Sequence, residues 1–311
     1  MTSYLEFEKP LKDIDAKIAE LRSDRKVDNS DKIARLEAKK KSEIKLLYSD
    51  LSDWDRVEIA RHPERPHTVD YISSMVDCFV ELCGDRMFAD DQSIVGGLGY
   101  IGEEPVVVIG EEKGGDTDER IKHNFGSPKP EGYRKAVRLM DMADRFGLPV
   151  VMLVDTAGAF PGADSEARGI SQAIAASIRR CLDLSVPTVS VVIGEGGSGG
   201  AIALAVANEV LMLENSIYSV ISPEGCAAIL WKDAKYKQDA AETLKLTAPA
   251  LKKLGVIDAV IPEPVGGAHR HRDEAVAAVK AAVLKFLAKF KKKSPGEIRD
   301  HRIKKFEDMA K

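Results

Sequence analysis

Thr188-Val-Ser-Val-Val-Ile-Gly-Glu-Gly-Gly-Ser-Gly-Gly-Ala-Ile-Ala-Leu-Ala-Val-Ala207 decides how this 311-residue chain is read. Thr188 to Ile193 is a run of mostly β-branched residues, as in a strand covered on both faces. Gly194 to Gly200 breaks that run, and Ala201 to Ala207 reads as a short helix of small residues. Strand, glycine turn and helix in that order predict an α/β protein.

The same grammar extends outward from this stretch. Ser93 to Gly97 and Pro105 to Gly110 read as paired strands. Glu131 to Phe146 reads as a helix whose apolar face is Tyr133, Val137, Met140, Ala143 and Phe146, between Pro130 and Gly147. Leu148 to Val154 is a buried strand running into Asp155-Thr-Ala-Gly158, and Ser165 to Leu182 a second helix. Val210 to Leu213 is a further strand, a helix starts near Pro223, and the segment from about Asp273 is helical and basic. Residues 1–65 differ. Leu11, Ile14, Ile18 and Leu21 follow helical spacing, a polar break spans Ser23 to Asp31, and Ile33, Leu36, Ile44, Leu47 and Leu51 resume it. Two antiparallel helices are expected, the second ended by His62-Pro-Glu-Arg-Pro66. The division is thus a helical arm over 1–65 and an α/β domain over 66–311.

Composition narrows the function classes. Forty-six basic and 50 acidic residues give a net charge of -4, without the basic excess of a nucleic-acid binder. No apolar run has the length of a membrane span, and Met1 to Pro10 lacks the pattern of a signal peptide, so a cytoplasmic protein is expected. Cys78, Cys83, Cys181 and Cys226 form no CxxC pair, so no metal site is expected and all four read as small buried hydrophobes.

The glycine cluster admits three readings. All of them use the unpaired N–H groups and the dipole at a helix N-terminus. Gly194, Gly196 and Gly199 spell GxGxxG, with Glu214 at the spacing of a ribose-binding acid, although two strand–helix units already precede the motif. Gly196-Gly-Ser198-Gly-Gly200 matches GxSxG, with Asp258 and His269 following in hydrolase order, although His269 lies in a loop-like run. The third reading is a cradle in which Gly199 and Gly200 aim main-chain N–H groups at an oxygen that gains charge.

Several longer segments bear on the choice. They are Ala60-Arg-His-Pro-Glu-Arg-Pro66, Asn124-Phe-Gly-Ser-Pro-Lys-Pro-Glu-Gly-Tyr-Arg-Lys-Ala136, Asp155-Thr-Ala-Gly-Ala-Phe-Pro-Gly162, Ile193 to Ala201, Tyr218 to Cys226 and Ile261 to Arg270. In order and spacing, over about residues 4–270, the chain resembles the alpha subunits of acetyl-CoA carboxylase carboxyltransferase. The resemblance implies a crotonase-like (ClpP/crotonase) spiral of strand-strand-helix units following the N-terminal helical arm. It implies transfer of a carboxyl group from carboxybiotin to acetyl-CoA, giving malonyl-CoA in fatty acid biosynthesis. It further implies a beta subunit that shares the active site in an alpha2beta2 assembly and carries the zinc. A biotin carboxyl carrier protein brings carboxybiotin, and a separate biotin carboxylase charges it. The rival within enzymes is a stand-alone crotonase-type CoA hydratase or hydrolase.

By the same resemblance Gly199 and Gly200 are the catalytic donors, serving the biotin ureido oxygen, while the beta subunit cradles the thioester oxygen. The biotin anion takes the methyl proton itself, so no acid–base dyad is required. Arg168 holds a carboxyl group in this reading, or else pairs with Glu166 at the surface. Gly158 and Ala159 let the backbone approach the ligand, Gly196 and Gly197 form the turn, and Asp155 orients or caps. Ala157 and Phe160 stand where the family often has proline and tyrosine. Glu111, Glu112 and Gly115 stand where it often has histidine, glutamine and arginine, which makes that loop less basic and leaves Lys113 without an assigned role.

Overall fold

The computed structural model describes residues 3–24 and 28–309. Its helices and strands follow the alternation in the sequence. At the N-terminus α1 (Lys9–Ser23) and α2 (Ser30–Ser49) lie antiparallel, as the contacts Arg22–Glu37, Asp15–Lys40 and Glu8–Tyr48 show. Residues 25–27 of the expected polar break lie outside the described residues. The second helix stops at Ser49. A separate α3 (Asp53–Ala60) follows, started by Ser52, whose hydroxyl accepts the Asp55 N–H at 3.1 Å. The proline-bounded stretch 62–66 therefore ends α3, not the second helix. α4 (Thr68–Met75) follows it.

Next come β1 (Asp77–Glu81), β2 (Ile94–Ile101), β3 (Glu104–Glu111), α5 (Thr117–Lys122), α6 (Pro130–Phe146) and β4 (Val150–Thr156). Then α7 (Ala163–Ala167), α8 (Ile170–Asp183), β5 (Thr188–Gly197), α9 (Ser198–Ala205), β6 (Glu209–Leu213) and β7 (Ile217–Ser219). The chain closes with α10 (Pro223–Leu230), α11 (Lys237–Leu244), α12 (Ala248–Lys253), β8 (Ala259–Ile261), α13 (Arg272–Phe290) and α14 (Pro295–Asp308). The sheet order is β1-β2-β3-β4-β5-β6-β8, with β7 paired to the end of β5. β1, β2 and β3 are antiparallel, and β3 through β8 run parallel.

Both sheet faces are covered. Val106, Val108, Val151, Leu153, Val189 and Val191 face Tyr71 of α4 and Val283 and Phe286 of α13. Their neighbours Val107, Ile109, Val150, Met152 and Val192 face Leu139 and Met140 of α6 and Leu204 of α9. Period-two alternation therefore feeds two cores from continuous apolar runs.

Three expectations need correction. The helix expected over 165–182 is two helices, broken at Arg168 and at Gly169, which takes φ 80°. The basic C-terminal helix is also two, because Ser294 and Pro295 start a new one, with the Ser294 hydroxyl capping the Glu297 N–H. Cys181 and Cys226 are buried, but Cys78 and Cys83 are exposed, since β1 lies at the sheet edge and its last residues lead into a surface loop. No described helix is long and apolar enough to cross a membrane.

Candidate active site

β4 and β5 are parallel neighbours, so the loops leaving their C-terminal ends emerge side by side, with Thr156 opposite Gly196. The β5 loop turns within one residue. Gly197 is extended, Ser198 takes φ 50°, and α9 begins at Ser198. The first N–H groups of α9, including those of Gly199 and Gly200, have no preceding helical carbonyl to reach. The β4 loop is held by Thr156, whose hydroxyl oxygen accepts the Gly158 N–H at 3.0 Å.

The two loops touch through bare backbone. A Cβ on Gly200 would lie 2.9 Å from the Ala159 nitrogen and 3.0 Å from the Gly158 carbonyl carbon. One on Gly197 would overlap the Ala157 carbonyl. Gly196 lies against Tyr218 of β7. Gly199 is roomier, since its Cβ would meet only the Ile174 side chain, at 3.5 Å. The structure thus brings Gly158, Ala159, Gly196, Gly197 and Gly200 together, with Gly199 beside them.

Arg168 is engaged elsewhere. Its guanidinium meets Glu131 at 2.8 Å and Asp164 at 3.2 Å, and stacks 5.1 Å from the Phe88 ring. Glu166 is not the acid it pairs with. Arg168 borders a cleft of about 580 Å3 shared with Arg134, Arg138 and Gln172.

Beneath the loops lies a charged network that the sequence reading missed. Lys113 reaches Asp155 at 2.8 Å and Glu195 at 2.9 Å. The Asp155 carboxylate also accepts the Glu195 N–H at 2.9 Å and stands 3.5 Å from His67. Arg61 joins Glu195 to Glu224 at 2.6 and 2.7 Å. Burial pushes the Asp155 carboxyl up, but Lys113 and His67 outweigh it and hold the group well below the usual carboxylate range. Burial lowers the Lys113 ammonium, yet Asp155 and Glu195 overcome this and raise it. Glu111 goes the other way. Complete burial and the nearby Asp155 charge hold its carboxyl well above its ordinary value. One usable signal was present. Residues 111–113, 155 and 195 each stand at the C-terminal end of one of three strands that the fold places in a row. The network borders a cleft of about 400 Å3, lined also by Arg120, Phe125 and Ala157.

The two competing readings of the glycines lose their partners. Asp258 is paired with Lys305 and accepts the Val210 N–H. His269 stacks on His62 at 4.1 Å and faces Glu8, beside the N-terminal helices. Neither meets Ser198, so no triad forms. The Glu214 carboxylate accepts the Glu263 N–H at 3.1 Å.

Solved structures share this fold. Transcarboxylase 12S with methylmalonyl-coenzyme A and methylmalonic acid bound superposes with a TM-score of 0.60 at 18% identity, over 74% of this chain and 42% of that one. A Pseudomonas malonate decarboxylase hetero-dimer gives a TM-score of 0.52 at 18% identity, over 63% and 81%. The fold is therefore the crotonase-type fold of carboxyltransferases, with the amide-lined turn at the ends of its parallel strands.

The sequence relatives carry this to a family. The profile of the acetyl co-enzyme A carboxylase carboxyltransferase-like family matches residues 4–310. An acetyl-coenzyme A carboxylase carboxyl transferase subunit alpha from Rhizorhabdus wittichii is 55% identical over 98% of this chain and 99% of its own length. That of Rhizobium etli is 53% identical over 100% and 99%. The chain belongs to the family of acetyl-CoA carboxylase carboxyltransferase alpha subunits.

Proposed function

We propose that this chain is the alpha half of a carboxyltransferase that moves a carboxyl group from carboxybiotin to acetyl-CoA, forming malonyl-CoA in the first committed step of fatty acid biosynthesis. The observation that carries the reading is the full-length match to alpha subunits. The geometry supplies its chemistry. Carboxybiotin enters as a substrate, and its ureido oxygen becomes negative once the carboxyl group leaves. The N–H groups of Gly199 and Gly200, at the start of α9, donate to that oxygen. Each such donor contributes roughly 2.7–4 kcal/mol in related chemistry. The close seat of Gly200 on Gly158 and Ala159 fixes the aim of these groups before the substrate arrives.

The remaining groups of this chain orient. Asp155, Lys113 and Glu195 pin the ends of β4 and β5, so the two loops cannot drift apart. With Arg168 held by Glu131 and Asp164, its carboxyl-binding role requires one of those pairs to open. The thioester oxygen is served by the beta subunit, which also carries the zinc, in an alpha2beta2 assembly. A biotin carboxyl carrier protein delivers the substrate after charging by biotin carboxylase, all in the cytoplasm. A stand-alone serine hydrolase is disfavoured because Asp258 and His269 are both engaged away from Ser198, and a hydratase because the full-length relatives are carboxyltransferase alpha subunits.

The test is reconstitution. The chain purified with its partner subunit should decarboxylate malonyl-CoA in the presence of biotin, and each subunit alone should not. Full turnover by the isolated chain would reject the shared site.

A further inference from the structure

The apolar strand β3 ends in a buried acid. Val106 to Ile109 is a continuous apolar run, and strand alternation puts residue 111 on the face of Val107 and Ile109, towards α6 and α9. Glu111 is fully buried there. A buried carboxylate ordinarily has a cation or several N–H donors around it. Its neighbour Glu112 has two donors, the Val69 N–H at 2.9 Å and the Gly114 N–H at 2.6 Å. Glu111 has one, the Asp155 N–H on Oε2 at 3.2 Å, and its Oε1 meets no donor among the described residues. Lys113 is engaged by Asp155 and Glu195.

Four titratable groups face this carboxyl. They are Asp155 of β4, Lys113 just beyond β3, Tyr133 of α6 and Tyr218 of β7. Behind Asp155 stand His67 and Glu195. Both tyrosines keep their protons. Burial and the Glu111 charge push Tyr218 up to about 12, and the same two causes raise Tyr133. Asp155 and Lys113 act on Glu111 in opposite senses. Burial together with Asp155 prevails, so the group carries its proton.

The neighbours of Glu111 support the amide turn. The Asp155 carboxylate lies against the bare backbone of Gly194 and accepts the Glu195 N–H at 2.9 Å, one residue before Gly196. Tyr133 packs beneath Ala159, and Tyr218 lies against Gly196. A second negative charge at residue 111 would repel Asp155 where little water screens the two. Asp155 would then be drawn off the β5 backbone that it fixes.

We infer that Glu111, carrying its proton, is a positioning residue for the amide turn, and that its ionisation loosens the hold of Asp155 on β5 and slows carboxyl transfer. The loosening is a property of the chain itself. Its effect on turnover rests on the carboxyltransferase reading.

Two measurements test it, on the parent and on Glu111→Gln and Glu111→His. The first is kcat for malonyl-CoA decarboxylation by the assembled enzyme, each enzyme compared with itself between about pH 7 and 9.5. Parent kcat should fall about fivefold or more with little change in the Michaelis constant, because the cradled oxygen gains its charge only during reaction. The same ratio should stay within about twofold for the glutamine variant, which has no proton to lose. The second is hydrogen exchange of residues 194–200 in the isolated chain, corrected for the intrinsic effect of pH. The parent should lose protection over that interval, and Glu111→Gln should keep it. A parent profile that is flat in both measurements overturns the proposal, as does an equal alkaline fall in the glutamine variant. So does an assembled glutamine variant that is inactive at every pH, which would make the carboxyl group itself essential. Glu111→His supplies the comparison if glutamine lowers the melting temperature. If both variants melt early, constant protection in the parent overturns the proposal by itself. If the parent complex forms but decarboxylates at no pH, the reaction assignment fails, and hydrogen exchange still decides the role of Glu111.

Discussion

Gly200 rests so closely on Ala159 that a single added methyl group would stand 2.9 Å from the Ala159 nitrogen. Two loops from neighbouring strands meet there through main chain alone, and in the proposed mechanism that contact aims the N–H groups at the start of α9. Gly200→Ala must push backbone against backbone, which has little room to yield. The expected result is a fall in kcat of about a hundredfold or more, the scale of losing one aimed donor, in a soluble, assembled enzyme.

Gly199→Ala makes the contrast. Its Cβ would meet the Ile174 side chain at 3.5 Å, an ordinary contact. The N–H survives the substitution, so steady-state kinetics of the complex should keep kcat within a few fold. Gly199→Val adds bulk towards Ile174 and should lose most turnover. A large loss with alanine would mean that residue 199 needs freedom from a side chain rather than a free N–H.

Lys113 holds two buried carboxylates at once, with Asp155 and Glu195 only 4% and 11% exposed. Lys113→Met leaves both without that cation, although Arg61 still reaches Glu195. Breaking a buried pair from one side costs about 3–5 kcal/mol. A urea titration should show the midpoint falling by that free energy divided by the slope, with the slope unchanged. The loss should extend to turnover, because the same lysine joins the strands that carry both loops.

How much of this was legible in the sequence depends on the range of the cause. α6 was readable end to end because Pro130, a long apolar stripe and Gly147 are local signals. The turn after β5 was readable because a β-branched run stops at a glycine cluster. β7 and β8 have three residues each, too few for any period, and exist only because β5 and β6 offer open edges. The break at Arg168 and Gly169 was masked because the apolar spacing resumes in α8. The Lys113 network was missed for another reason. Lys113, Asp155 and Glu195 lie 40 or more residues apart, and only parallel pairing of β3, β4 and β5 makes them neighbours.

Glu111 gives a pH signature. Its carboxyl is held well above the ordinary value by burial and by Asp155. A raised folded-state pKa means that the stabilisation from keeping the proton is complete below the unfolded value of 4.5 and is lost as pH rises towards the folded value. Glu111→Gln keeps the shape and the acceptor for the Asp155 N–H, and removes the titration. Thermal unfolding should show no gain at pH 4 and a higher Tm for the variant at pH 8. Equal differences at both pH values would assign the effect to packing instead.

Arg302 shows how the last helix is fastened. Its guanidinium is buried in α14 and donates to the carbonyls of Cys181, Leu182, Leu184 and Val186 and to the Asn208 side chain. Burial pushes its pKa down to about 10, and no carboxylate lies within ion-pair distance among the described residues. The charge is stabilised instead by carbonyl dipoles, three of them at or just beyond the C-terminal end of α8, where a cation is favoured. Arg302→Met would strip several buried carbonyls of their donor at once, at about 1–3 kcal/mol for each one left unsatisfied. Lysine cannot replace it, because one ammonium has three donors in place of the planar fork that spans these acceptors. Both variants should lower the urea midpoint, and hydrogen exchange should rise first in α14 and the end of α8. The amide turn should stay protected, because Asp155 and Lys113 hold it independently of the C-terminus. Loss of protection at the turn in step with α14 would instead join the two regions in one unfolding unit.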